Sequence, residues 1–177
     1  MGRNRGSHFR YQIFRSAART SATQLALANN GLRAAEIDAS QIRFEPINDE
    51  AMEASYLWGD DATLFPWEDV HGWKQTDHRG IDISLWYDIE LCGMAYASPR
   101  QSKLCIKVIL LEGKPDRTHP LKGFVAPLVL DAIESYALLI GCSEIEIEEP
   151  ASGAVAWYET LGFDFDASGR LVMTVQG

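Results

Sequence analysis

A strand, a polar loop and a long apolar helix follow one another between residues 103 and 140, and this succession constrains the fold most. Residues 103–111 (KLCIKVILL) are rich in β-formers and end almost wholly apolar, which is typical of a buried central strand. Residues 122–140 (KGFVAPLVLDAIESYALLI) are apolar at helical spacing around most of the helix, and Gly141 follows as a stop signal. Because Pro127 is tolerated only in a first turn, the helix should begin near Gly123 and Phe124.

Shorter elements surround this unit, and their alternation predicts one α/β domain with helices packed on a mixed sheet. An alanine-rich helix over 16–30 ends at Asn30-Gly31, and its face carries Ala18, Ala22, Leu25 and Ala26. The predicted strands are 41–47, 81–89, 91–98, 143–148, 163–165 and 171–175. The predicted shorter helices are 49–59, one within the irregular segment 60–80, and 151–161, which Gly162 ends.

Length and composition exclude several classes of protein. A chain of 177 residues with 46% apolar residues suits one domain with a full hydrophobic core. No apolar run approaches the roughly 18–20 residues that a membrane span needs, and the N-terminus lacks an apolar signal core. We therefore expect a cytoplasmic protein that does not enter a membrane. Three cysteines without CxxC spacing argue against a disulfide framework or a thiolate zinc site.

The net charge of −9 hides an asymmetry along the chain. Residues 1–43 hold seven arginines against two acidic residues, whereas residues 44–177 hold nine basic against 23 acidic residues. The sequence therefore predicts a basic N-terminal helical arm over 1–40 and an acidic domain over 41–177. The arm either contacts nucleic acid or lies on an acidic surface of its own chain or of a partner subunit, and we favour the second alternative.

Two features carry the candidate chemistry. The first amides of the helix after the polar loop lack internal partners and lie at the positive end of the helix dipole. With Gly123 allowing close approach and Lys122 adding a cation, this helix start could hold a pyrophosphate. A single glycine at a helix start, taken alone, more often marks an ordinary helix start. Tyr158 lies in an aromatic pair that suits the core, but a tyrosine hydroxyl at a core edge can also donate a proton.

Together these features resemble the GNAT superfamily of N-acetyltransferases. That family places a glycine-rich phosphate loop between a buried strand and an apolar helix. A later short helix follows the pattern asparagine-x-x-alanine-x-x-aromatic-tyrosine-x-x-x-glycine-phenylalanine. Residues 151–163 (ASGAVAWYETLGF) match this spacing from Ala154 through Tyr158 to Gly162-Phe163. Ala151 replaces the asparagine, with Ser152 as a substitute, and Val125 stands where the loop has glycine or alanine.

The resemblance implies a GNAT-like α/β fold, with a mixed, mostly antiparallel sheet flanked by helices. It also implies acetyl-CoA as co-substrate and no metal. The cofactor-binding residues that it implies are Ile109, Leu110, Leu111, Lys122, Gly123, Phe124, Val125 and Ser152. Tyr158 would protonate the departing thiolate, and Glu112, or alternatively His119, would accept the proton of the amine. Solvation of a loop remains the other interpretation of Glu112 and His119.

The acceptor amine is expected to enter across residues 56–80. The substrate residues that we expect there are Asp60, Asp61, Trp67, Glu68 and Trp73, with carboxylates for a cation and indoles for its apolar part. A solvated acidic loop with its aromatic side chains in the core is the alternative. His71 and His78, with Asp69 and Asp77 nearby, match no metal-ligand spacing.

The sequence therefore predicts an acetyl-CoA-dependent N-acetyltransferase acting on a small-molecule or peptide amine. Two alternatives stay open: a GNAT-like binding module without catalysis, and an acyltransferase for an RNA-linked or protein amine. A homodimer is expected by family analogy only, and contact with nucleic acid is the less favoured partner prediction.

Overall fold

The computed structural model describes residues 3–59, 65–115 and 118–177, which form six α-helices and seven strands. The helices are α1 (Arg3–Leu27), α2 (Asn30–Ala34), α3 (Asp49–Tyr56), α4 (Trp67–Thr76), α5 (Val125–Ile140) and α6 (Val155–Thr160). The strands are β1 (Ile42–Glu45), β2 (Ile81–Tyr87), β3 (Glu90–Ser98), β4 (Cys105–Gly113), β5 (Glu144–Ile147), β6 (Asp164–Phe165) and β7 (Leu171–Thr174).

All seven strands join one sheet in the order β1-β2-β3-β4-β5-β7-β6. Only β4 and β5 run parallel, and α5 connects them. Every other neighbouring pair is antiparallel, so the predicted mixed and mostly antiparallel sheet is confirmed. The parallel pair lies near the centre of the sheet. Its strand β4 is the apolar segment that the sequence predicts as a buried central strand.

Local signals fixed several element ends. Asn48 caps α3 by accepting the Ala51 amide at 2.9 Å through its side chain. Pro127 is the third residue of α5, within the first turn as expected. Gly141 ends α5 in the left-handed conformation at φ +84°, which glycine adopts without steric cost.

The N-terminal helix differs from the prediction in length. It begins at Arg3 and not near Ser16: residues 3–15 contain no proline, and the helix continues through Gly6 even though the apolar face of this segment is poor. A short helix, α2, follows it where the sequence predicts no element. The alanines at 18, 22 and 26 are at most 1% exposed, whereas Leu25 is 46% exposed because it lies outside this four-residue repeat.

Two apolar cores lie on opposite faces of the sheet. One joins α1 and α5 to the strands, with α1 packed along α5. The other lies under α3 and α4 and contains Trp58, Trp67, Trp86 and Tyr96. Helices therefore cover both faces and hold the central strands in place. In the described part of the chain, no helix has the length and hydropathy to cross a bilayer.

Candidate active site

The parallel strands β4 and β5 pair over only part of their length. Cys105 to Val108 face Glu144 to Ile147, and the last contact is the Glu148 amide donating to the Val108 carbonyl at 3.0 Å. β4 continues to Gly113 without β5 beside it. The edge of β4 beyond Val108 therefore faces a wedge between the two strands.

A β-bulge marks the start of this wedge. Tyr96 pairs with Leu110 and Ala97 pairs with Val108, so Ile109 is an extra residue in β4. A bulge bends the strand and increases its local twist, and it is common next to active sites. The bulge thus turns β4 away from its parallel partner where the unpaired edge begins.

The wedge opens into a cavity of about 710 Å³, here called the wedge cavity. Its walls come from β4 residues 108–113, from residues 147–151 after β5, and from Ala154 and Tyr158. Phe65, Pro66 and Trp73 close the α4 side. The cavity therefore brings together the predicted residues Ile109, Leu110, Leu111, Glu112, Tyr158 and Trp73.

Tyr158 projects from α6 and is 8% exposed. Its ring packs edge-to-face on Phe163 at 5.8 Å between centroids. Burial raises the pKa of its hydroxyl above the ordinary tyrosine value. No described residue makes a hydrogen bond to this hydroxyl, so a protonated phenol is available to a ligand in the wedge cavity.

Glu112 lies on β4 and is 6% exposed. The Trp67 indole nitrogen donates to its Oε1 at 2.7 Å. This donor, itself buried on α4, holds the carboxylate in one orientation at the cavity wall. Trp67, predicted to contact substrate, thus supports Glu112 and lines neither cavity described here.

The predicted phosphate loop has a left-handed Gly123 at φ +84°, with no atom within 4 Å of the position of a Cβ. The amides of Lys122 and Phe124 donate to the carbonyls of His119 and Leu121 and are already used. Among the described residues, no carbonyl accepts from the amides of Gly123, Val125 or Ala126. Those three amides remain available at the start of α5, although residues 122–125 do not line the wedge cavity.

Val125 fits because two strand glycines leave room for it. A Cβ at Gly93 would lie 2.5 Å from Val125 Cγ1, and one at Gly113 would lie 3.5 Å from Cγ2. The valine side chain therefore packs against β3 and β4, beneath the start of α5. The larger residue in the phosphate-loop motif is thus accommodated by the sheet.

The remaining predicted residues lie apart from the wedge cavity. Glu68 is exposed at the start of α4, and Ser152 is exposed in the short turn before α6. Lys122 is also exposed. Asp60 and Asp61 lie outside the described residues.

A second cavity of about 420 Å³, here called the Asp77 cavity, adjoins the first at Trp73 and Ile109. The Tyr96 hydroxyl donates to Asp77 Oδ2 at 2.5 Å, and the Trp73 and Tyr96 rings lie 5.2 Å apart. Sequence reasoning missed this pair because Tyr96 looks like a core residue of β3. Asp77 was noted only as a neighbour of two histidines.

No cluster of three metal-ligating side chains occurs in residues 3–59, 65–115 and 118–177.

The comparisons with known proteins bear on the fold. No protein-family model matches the sequence, and no curated protein matches it either. Among solved structures, the chain resembles the ribosomal-protein-S18-alanine N-acetyltransferase of Escherichia coli at 15% identity, with a TM-score of 0.54. It resembles an acetyltransferase of Bacillus subtilis in complex with CoA at 22% identity and a TM-score of 0.53.

A third similar structure is the aminoglycoside 6'-N-acetyltransferase of Enterococcus faecium, at 15% identity with a TM-score of 0.54. Each match covers 77% of this chain and between 95% and 99% of the other chain. The chain therefore has the fold of the GNAT N-acetyltransferases, as its sequence motifs predict.

Proposed function

We propose that this protein is an acetyl-CoA-dependent N-acetyltransferase that transfers an acetyl group to a primary amine by direct attack. The observation that carries the proposal is the wedge cavity, where a protonated tyrosine and a buried carboxylate border the unpaired edge of β4. The GNAT fold supports the same assignment.

The wedge suits the shape and chemistry of acetyl-CoA. The free edge of β4 at residues 109–111 can pair with the amide groups of an extended pantetheine arm, as an added strand does. The amides of Gly123, Val125 and Ala126, which have no carbonyl partner within residues 3–59, 65–115 and 118–177, suit the pyrophosphate. When bound, acetyl-CoA supplies the thioester carbonyl carbon, to which the amine nitrogen forms a bond while the carbon–sulfur bond breaks.

The residues of this chain then manage two protons. Glu112, oriented by the Trp67 indole, accepts the proton that the amine must lose. Tyr158 donates its hydroxyl proton to the thiolate sulfur, and its raised pKa keeps that proton in place at neutral pH. The products are an acetamide and free CoA thiol. Exchange with solvent then removes the proton from Glu112 and returns one to Tyr158, so atoms and charges balance over the cycle.

A variant that fills the opening of the wedge cavity tests whether acetyl-CoA binds there. Ala151 lines the cavity and is exposed, so Ala151→Trp fills the opening with little risk to the core. Ala156 is an exposed alanine of the same segment outside the lining, so Ala156→Trp is the matched control. We expect calorimetry to show acetyl-CoA binding to the wild type and Ala156→Trp, and weakening by at least about tenfold in Ala151→Trp.

Activity is then measured as thiol release from acetyl-CoA across a panel of small amines and peptide N-termini. A wild type that does not bind acetyl-CoA would refute the proposal. A wild type that binds acetyl-CoA and acetylates no amine would favour a binding module, the second candidate. The exposed positions of Lys122 and Ser152, away from the wedge cavity, are the observation in favour of that candidate.

A further inference from the structure

We propose that the Asp77 cavity binds the ammonium group of a small cationic acceptor, with Asp77 as counter-ion and Trp73 and Tyr96 as aromatic walls. The inference rests on the proposed acetyltransferase function for the identity of the acceptor. It assigns the acceptor's charge to a carboxylate that lies in neither sequence motif.

The position of the cavity carries the first step. Ile109, the bulged residue of β4, lines both cavities, and so does Trp73. A ligand in the Asp77 cavity would therefore lie against Ile109 and Trp73, which also border the wedge cavity. Two reactants that occupied these cavities would meet at the bulge.

The carboxylate in this cavity is held in place by the fold. Asp77 ends α4, and the Tyr96 hydroxyl of β3 donates to its Oδ2 at 2.5 Å. Burial and the neighbouring Asp77 carboxylate raise the pKa of Tyr96 far above the ordinary value, so its hydroxyl stays a donor. Asp77 is thereby oriented by a neutral group.

A glycine makes room for this pair. A Cβ on Gly80 would lie 2.5 Å from the Tyr96 hydroxyl oxygen and 3.0 Å from Asp77 Oδ2. Since Gly80 has an ordinary φ, the reason for glycine at this position is space and not backbone conformation. The hydrogen bond between Tyr96 and Asp77 therefore requires a residue without a side chain at position 80.

The charges around the cavity determine the kind of ligand. Among the described residues, no lysine, arginine or histidine lies within ion-pair distance of Asp77. Arg100, the cation of the cavity lining, pairs instead with Glu148 at 3.2 Å. The Asp77 charge is left for a ligand, and a positive group is its complement. The faces of Trp73 and Tyr96 also attract a cation and cover the apolar part of an amine.

The binding test uses benzylamine, which is protonated at neutral pH, and benzyl alcohol, its neutral counterpart of similar shape. Asp77→Asn keeps the size of the side chain and its ability to accept from Tyr96 while removing the charge. Asp69→Asn is the matched control, because Asp69 is an exposed carboxylate on the same helix outside both cavities. Binding is followed by ligand-observed NMR, and acetyl-CoA affinity is measured by calorimetry in parallel.

We expect the wild type and Asp69→Asn to prefer benzylamine, and Asp77→Asn to lose about tenfold or more in benzylamine affinity. Benzyl alcohol and acetyl-CoA should bind Asp77→Asn as they bind the wild type. A second variant, Gly80→Ala, keeps the charge but displaces the Tyr96 hydroxyl, and it should weaken benzylamine alone. This variant keeps the proposal testable should Asp77→Asn fail to fold.

The outcomes separate this proposal from the proposed function. Benzylamine binding that depends on Asp77 in a protein that does not bind acetyl-CoA would retain the cation site and reject the acetyltransferase. Acetyl-CoA binding with benzylamine affinity equal in the wild type and Asp77→Asn would reject the cation site alone. A wild type that binds benzylamine no better than benzyl alcohol, or not at all, would also overturn the cation site.

Discussion

Tyr158 carries the most specific chemical prediction at the level of single residues. The residue lines the wedge cavity, its hydroxyl has no hydrogen-bond partner among the described residues, and burial raises the pKa of that hydroxyl. Tyr158→Phe removes only the oxygen and leaves the ring contact with Phe163. We expect kcat to fall by about 100-fold or more, because a positioned general acid contributes on that order. The KM for acetyl-CoA should stay near the wild-type value.

The pH profile distinguishes proton donation from a packing role. Because the pKa of Tyr158 is raised, its acidic form should persist to beyond about pH 10, the ordinary value for tyrosine. The wild-type kcat should therefore show no loss from this group below that pH. Tyr56→Phe, at a tyrosine that is 69% exposed, should behave as the wild type. An unchanged kcat in Tyr158→Phe would exclude the hydroxyl as the proton donor.

Asp131 gives a stability prediction with a defined sign. Burial in α5, with a smaller contribution from Glu134, raises the pKa of Asp131 to about 6. The folded protein therefore favours the neutral carboxyl, and stability from this group is present at low pH and lost as the pH rises through about 6. Asp131→Asn should be more stable than the wild type at pH 7.5 by about 1–2 kcal/mol, allowing for solvent screening.

Denaturant unfolding at two pH values checks this effect. The advantage of Asp131→Asn should shrink towards zero near pH 4, where the wild-type carboxyl is protonated in the folded state and increasingly so in the unfolded state. Asp164→Asn, at an exposed position on β6, should show no such pH-dependent gain. A constant difference between Asp131→Asn and the wild type at both pH values would contradict the assignment.

At the level of elements, predictions succeeded where a short segment carries its own signal. The first-turn Pro127 and the left-handed Gly141 each depend on neighbours within four residues. The start of α1 at Arg3 had no such signal, and sequence patterns alone do not reveal the docking of its alanine stripe on α5.

The residues of the candidate site also divide into those with a local sequence signal and those without one. The family resemblance implied Tyr158 and the residues at the start of α5, because short motifs mark α6 and the start of α5. The bulge at Ile109 and the meeting of Asp77 with Tyr96 depend on strand register across the sheet. Residues 19 positions apart on a helix end and a strand carry no local pattern that would join them.

The N-terminal helix braces the turn that carries Asp77. Arg15 of α1 donates to the carbonyls of His78 at 3.0 Å and Gly80 at 3.1 Å. Arg15→Gln shortens the side chain and should release that turn. We therefore expect benzylamine affinity to fall severalfold while acetyl-CoA affinity is kept, measured by the same NMR and calorimetric assays.

Arg33→Gln is the control for this effect on the turn. Arg33 is an exposed arginine that donates to the Leu27 carbonyl at 3.3 Å, distant in sequence from the turn. It should leave benzylamine affinity unchanged. Equal losses in the two variants would point to a general charge effect and count against bracing by α1.

For the whole molecule, the charge asymmetry has a partial structural explanation. Arg15 and Arg19 of α1 donate to groups in residues 78–82, which lie in the acidic part of the sequence. These contacts support the interpretation in which the basic arm lies on its own chain. Contact of the arm with nucleic acid or with a partner subunit, and a homodimer expected by family analogy, stay predictions.

Asp82 is a buried carboxylate that links the contacts of α1 to the stability of the fold. It is 2% exposed on β2, and its Oδ2 accepts the Ile47 amide at 2.7 Å and lies 2.8 Å from Lys74 Nζ of α4. Its Oδ1 lies 3.4 Å from the Arg19 guanidinium of α1, a side chain that is only 13% exposed. One carboxylate therefore joins α1, α4 and the chain after β1 to the central sheet.

Removing this charge should be costly because Arg19 would stay buried without its counter-ion. Burial of Arg19 already lowers the pKa of its guanidinium, and the charge of Asp82 opposes that shift. We expect Asp82→Asn to lose about 3–5 kcal/mol, a large part of the roughly 5–15 kcal/mol that stabilises a typical domain. Urea unfolding followed by circular dichroism measures this loss, with Asp38→Asn as an exposed control.

The double variant Asp82→Asn with Arg19→Met distinguishes an unpaired charge from lost packing. Replacing the buried arginine by an apolar side chain removes the uncompensated charge, so the double variant should recover part of the stability lost in Asp82→Asn. If the two losses simply add, Arg19 and Asp82 do not act as a pair. The ion pair would then not contribute to holding α1 on the sheet, and its alanine stripe and the arginine contacts to backbone carbonyls would do so.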